Sequence, residues 1–123
     1  MDNENIRIIC KVLPPELMSV GISLEGVYDH NYAWLQRDAL AVIDTLTKAR
    51  IPILGGDVFS LEAGGLTPTI DSWSIKRKED YESPKAFLQE SERRAIDYIR
   101  AYTKRNGENY CYSFVLYKFP IGN

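Results

Sequence analysis

Histidine and cysteine are scarce in this chain and an excess of positive charge is lacking, and each shortage removes a class of function. One histidine, His30, and two cysteines, Cys10 and Cys111, placed near opposite ends, do not supply the paired ligand spacing of a structural zinc site. Any Ser/His or Cys/His nucleophile would have to use His30, which sits in "YDHNY" and reads as a loop residue making its own hydrogen bonds. No GxSxG elbow, GxxxxGK[ST] loop or GxGxxG fingerprint is present. Fifteen Lys and Arg against 17 Asp and Glu, a net charge of -2 and a pI near 5.4 exclude a sequence-independent nucleic-acid binder, because nothing would drive counterion release. No apolar run approaches the roughly 20 residues of a membrane helix. The N-terminus carries acids where a signal peptide needs positive charge, and its apolar run is broken by Arg7 and Lys11. A soluble, cytoplasmic protein is the expectation. Cys10 and Cys111 lie in apolar runs and read as buried thiols in a reducing compartment, with a bridge between them as the other reading.

What is present suits a single domain spanning residues 1–123: 45% apolar and 26% charged residues in 14.1 kDa. The charge is uneven. Residues 1–62 hold nine acids against five bases, a local balance of -4, and the remainder is +2, so an acidic face able to steer a basic partner competes with ordinary scattered surface charge.

Along the chain, "IRIICKVL" (6–13) is β-branched and stopped by Pro14-Pro15, which predicts a first strand. A helical turn follows at Glu16 to Val20, and 21–32 reads as a loop with Gly21, Gly26, Asp29 and Asn31. From Ala33, Leu35, Ala39, Val42, Leu46 and Ala49 recur at helical spacing, with Asp44 and Lys48 paired i,i+4 on the outside and Pro52 blocking continuation. "IPILGG" and "DVFSLE" predict one bent strand or two short ones. "LTPTIDSWSIKRK" predicts a strand, at an edge because of Pro68, with Ile70, Ser72 and Ser74 on one side and Asp71, Trp73 and Ile75 on the other. Residues 83–105 carry a second long helix, capped by Ser83-Pro84 and stopped at Asn106-Gly107, and "YCYSFVLYK" (110–118) reads as a central strand. The order predicts an α+β fold: a four- to five-stranded antiparallel or mixed sheet with two main helices packed on one face.

The chemistry concentrates in "IPILGGDVFSLEAGGLTPTIDSW" (51–73). Gly55-Gly56 reads as a bulge or tight bend that aims Asp57, and a hairpin would let Asp57, Glu62 and Asp71 converge as a general acid and base. "GGDVF" resembles, over five residues, the signature of diguanylate cyclases. Val58 stands where that signature has its metal-coordinating Glu, and the upstream metal strand and phosphate loop are missing, so that activity is excluded.

Taken as a block, "ALAVIDTLTKARIPILGGDVF", "LTPTIDSW" with Lys76, Arg77 and Lys78 after it, and "ESERRAIDYIRAY" resemble the immunity protein 40 family of bacterial polymorphic toxin systems, from about Asp38 to Tyr102. The resemblance implies a cytosolic α+β protein that binds a cognate toxin domain and neutralises it by occlusion, with no catalytic residue, cofactor or metal and with neither nucleic acid nor membrane as partner. Asp57, Asp71, Trp73, Tyr28 and Asp29 are the candidate partner-binding residues, since a neutralising interface needs aromatic anchors and complementary charge. Trp34, Tyr98, Tyr102, Tyr110 and Tyr112 read as packing. The alternative is a small enzyme or ligand-binding domain built on the acids around the Gly-Gly-Asp turn. Oligomeric state is not legible.

Overall fold

The computed structural model of the chain describes residues 4–24, 31–118 and 120–121. Its elements run α1 (Glu4–Val12), α2 (Pro15–Val20), β1 (Ile22–Ser23), β2 (Tyr32–Leu35), α3 (Gln36–Lys48), β3 (Ile53–Glu62), β4 (Gly65–Ser74), a 3-10 turn (Lys78–Asp80), α4 (Pro84–Asn106) and β5 (Tyr110–Leu116). The strands form one five-stranded sheet in the order β1-β2-β5-β3-β4, and every pairing is antiparallel. The α+β expectation holds, with β5 at the centre and β4 at an edge.

Three local expectations do not hold, one of them that 21–32 is a loop throughout, since Ile22–Ser23 form β1 against β2. Residues 6–12 belong to helix α1, not to a strand, and Leu13 follows directly with its N–H donated to Ile9 O. Their composition is β-like, but Ile9 and Leu13 are the buried pair and Ile8 and Val12 pack beside them, an i,i+4 pattern that only a helix turns to one side. The third departure is at 32–35, which pair as β2 before the helix starts at Gln36. Trp34 is therefore a strand residue. It is fully buried and donates its indole N–H to Leu17 O at 2.8 Å. Leu35, counted on the helical stripe, is exposed at the N-cap, and the buried stripe is Ala39, Val42, Ile43 and Leu46.

The two long helices follow their sequence signals. Helix α3 carries the Asp44–Lys48 pair at 2.9 Å and closes with Ile51 N–H donating to Leu46 O and Arg50 N–H to Thr47 O, leaving Arg50 at a left-handed φ of 64°. Helix α4 starts where Ser83 Oγ accepts from Ala86 N–H at 3.0 Å and ends at Gly107, φ 100°. Its buried Ser91 accepts from Ile53 N–H at 3.1 Å, tying the helix to the start of β3.

The sheet's two faces differ. One face packs Trp34, Val58, Trp73, Tyr112, Phe114 and Leu116 against Ile9 of α1 and Leu13 just after it, the α3 stripe, and Ala95, Ile99 and Tyr102 of α4. At about 1.5–3 kcal/mol per fully buried large side chain, this layer dominates the stability of the described structure. Among the described residues the other face carries a smaller apolar cluster, Leu24, Ala33, Phe59 and Cys111, flanked by Ile22, Leu61 and Leu66. Among the described residues no helix is long and apolar enough to cross a membrane.

Candidate functional site

Paired glycines and an acid in one stretch suggest a turn, yet Gly55, Gly56 and Asp57 lie inside β3, paired on both sides. Gly56 faces Trp73 of β4 and Phe114 of β5, and Asp57 faces Ser72 and Ser113. The glycines are there because nothing larger fits. A Cβ on Gly55 would collide with the Trp73 carbonyl oxygen, and one on Gly56 with the Ser113 carbonyl oxygen and the Trp73 ring. The bulge expected at this point exists, as a register shift between Ile53 and Gly55.

The missing side chain at Gly56 makes room for Trp73 to lie flat on the sheet. Trp73 is 4% exposed, stacks on Tyr98 of α4 with ring centroids 5.0 Å apart, and meets the edge of Phe114 at 6.0 Å. Its indole nitrogen is buried and has no acceptor among the described residues. Trp73 is thus packed into the helix-side core, as its alternation with Ser72 and Ser74 requires. Asp71 lies on the same side of β4 and accepts a hydrogen bond from Tyr102 Oη at 2.8 Å. Burial together with that carboxylate raises the Tyr102 phenol far above its ordinary range, and burial first, then Asp71, also raises Tyr98.

Asp57 points the other way. Because it pairs with Ser72, it shares the face that carries no helix among the described residues, while Asp71 and Trp73 share the helix face. Glu62 is further off, at the hairpin end opposite Gly65, where it lines a groove with Glu108, Asn106 and Asn109. The convergence of Asp57, Glu62 and Asp71 that acid-base chemistry would use does not form: a one-residue offset in a strand sends adjacent side chains to opposite faces. Asp57 is half-buried, and burial raises its carboxyl above the usual carboxylate range. The carboxylate accepts no hydrogen bond and makes no ion pair within the described structure. Among the described residues no group of three His, Cys, Asp or Glu side chains is arranged to hold a metal ion.

Tyr28, Asp29 and His30 lie outside the described residues. The residues around Asp57 that the sequence reading left out are Ser113 and Val115, which the β3–β5 ladder brings to its face. Only Ser72, Ser74 and Ile70 were signalled beforehand, by the two-residue period of β4. Cys111 is buried, and burial pushes its thiol up to about 11. Cys10 is exposed, contrary to expectation, because the helix turns it away from the Ile9 and Leu13 stripe.

A search of curated proteins returns no match to the chain, and neither does a search of solved structures. The family model for Immunity protein 40 matches residues 16–116, from the first turn of α2 to the last residue of β5. That span contains the Gly-Gly-Asp strand, the Asp-x-Trp strand and all five strands of the sheet, and the chain belongs to the immunity protein 40 family.

Proposed function

We propose that this family member protects its producer by binding the toxin domain of a polymorphic toxin system in the cytoplasm and occluding it, without chemical turnover. The family match over residues 16–116 carries the reading. The geometry supports it: the two acids that a small hydrolase would need together, Asp57 and Asp71, stand on opposite faces of the sheet, and Asp71 is engaged by Tyr102. Occlusion asks for a rigid surface with complementary charge and shape. A sheet braced on one side by a continuous core provides rigidity at no further ordering cost to the partner.

The test is co-expression of the chain with the toxin domain encoded beside it. Growth should be restored, and the two chains should co-purify at a fixed ratio. Rescue without a complex, accompanied by chemical alteration of the toxin or its product, would assign an enzyme instead.

A further inference from the structure

We propose that the helix-free face of the sheet is the toxin-binding surface and that Asp57 receives a Lys or Arg side chain of the toxin. The inference rests on the immunity reading above and names which surface does the binding and what chemistry it meets.

The first observation is an exception. The described aspartates other than Asp57 each have a partner. Asp38 meets Arg37, Asp44 meets Lys48, Asp71 meets Tyr102, Asp80 meets Arg77, and Asp97 meets Arg93. Asp57 alone has none, although it is more shielded from water than an ordinary surface acid. Burial therefore penalises its charged form, and nothing among the described residues offsets the penalty. Asp is also a poor residue for a strand interior. An acid at a position disfavoured by propensity, desolvation and lack of a partner is costly to the isolated fold. Such a position makes sense when the compensating charge arrives with another molecule.

The second observation is what surrounds it. Across both ladders the in-register neighbours of Asp57 are serines, Ser72 on β4 and Ser113 on β5, so the carboxylate is flanked by small hydroxyl side chains. Val115, two residues along β5 on the same side and paired with Gly55, is 42% exposed, and Ile70, on the Ser72 side of β4 by alternation, is 99% exposed. A half-desolvated acid with hydroxyls beside it and apolar side chains near it has the composition of an interface centre, where a cation entering from the partner makes a charge-assisted hydrogen bond in a water-poor setting. The occupant follows from charge: the described structure places no cationic side chain within reach of this carboxylate, so the cation is the partner's. By contrast, the Asp71 carboxylate is already engaged by Tyr102, and the Trp73 ring is buried against Tyr98 on the helix side, out of reach of a partner on this face.

The experiment measures two quantities on full-length Asp57→Asn: the melting temperature of the free protein at neutral pH, and its dissociation constant for the cognate toxin domain. The substitution keeps the shape and removes the charge, so the melting temperature should rise while affinity falls by at least about thirtyfold. Asp71→Asn, on the other face, should leave affinity within about twofold of wild type, and so should Lys85→Glu in the basic groove of about 560 Å³ between α3 and α4. A lowered melting temperature for Asp57→Asn would make the carboxylate structural and overturn the inference. Wild-type affinity in Asp57→Asn would also overturn it, as would a large loss confined to Lys85→Glu, and either result would leave the immunity reading standing. If the wild-type chain forms no complex, both fall.

Discussion

At the scale of single residues, the least obvious feature is that the Gly55-Gly56 pair serves packing as well as the bulge. Gly56 is the floor on which Trp73 lies, so Gly56→Ala should lower stability by about 2–3 kcal/mol or more, since neither the Ser113 carbonyl nor the clamped indole can move aside freely. Gly64→Ala, with open space around it at the hairpin tip, should change the thermal midpoint little; comparing the two by thermal melts checks the assignment. Asp57 has a pH signature. Its folded pKa lies above the unfolded value of 3.8, so the folded state holds the proton more tightly, and its stabilising influence is present in acid and lost as pH rises through the folded pKa. The gain in melting temperature from Asp57→Asn should therefore be full at neutral pH and shrink as pH falls toward 3.8, which a series of melts across that range measures. The cysteines divide. Cys10 should react with a disulfide reagent in the native protein, and Cys111, buried and raised to about 11, only after unfolding; fast reaction of two thiols per native chain would contradict this.

At the scale of elements, α1 shows how a strand's open flank is closed without another strand. β2 pairs with β5 at Trp34–Tyr112 and Leu35–Cys111, and farther along β5 the side chain of Asn5 takes over. Its amide nitrogen donates to Phe114 O at 2.7 Å and its oxygen accepts from Leu116 N–H at 3.1 Å, so one side-chain amide occupies the place of a backbone peptide. Asn5→Ala would strand both groups, at a cost of about 1–3 kcal/mol. Hydrogen exchange should show the loss at the Leu116 amide first, before any change in the α4 amides. The opposite edge, β4, is managed by other means. Pro68 removes a donor, and the register shift between Asp57 and Phe59 sets Thr69 Oγ1 to donate to Val58 O at 2.8 Å, which breaks the regular ladder just where Ile70 is fully exposed. The strand is thereby a poor template for indiscriminate pairing while its face stays presentable to a specific partner.

At the scale of the whole molecule, the core reaches beyond the segment that defines the family. Ile9 and Leu13 precede the match at residue 16 and are buried in the main core, and Ile121 follows it, buried and donating its N–H to Arg50 O at 2.9 Å. Deleting residues 1–13 should remove roughly 3–6 kcal/mol from the burial of Ile9 and Leu13 alone. Against a typical total of about 5–15 kcal/mol, the truncated chain should lose its sharp denaturant transition, and a retained cooperative transition at the wild-type midpoint would show α1 to be dispensable. Much of this molecule was readable from its letters. The stripes of α3 and α4, the caps at Ser83 and Gly107, the β4 alternation and the central position of β5 all follow from patterns a few residues long, because periodicity and capping are local physics. The family, too, was legible in the Gly-Gly-Asp and Asp-x-Trp strands. The failures share one cause. A β-branched run such as 6–13 is compatible with both states, and its buried spacing became decisive only once β5 and α3 offered a surface to one side of it. Likewise, whether Asp57 and Asp71 meet or diverge depends on the register of β3 against β4, a long-range pairing whose one-residue shift exchanges every side chain between faces. Sequence by itself determined helices α3 and α4, strands β3 to β5, their order and the kinship of this chain. Tertiary structure alone decided that Trp73 lies inward over Gly56 and that Asp57 stands on the other face without a partner, because facing is a property of the paired sheet and not of either strand.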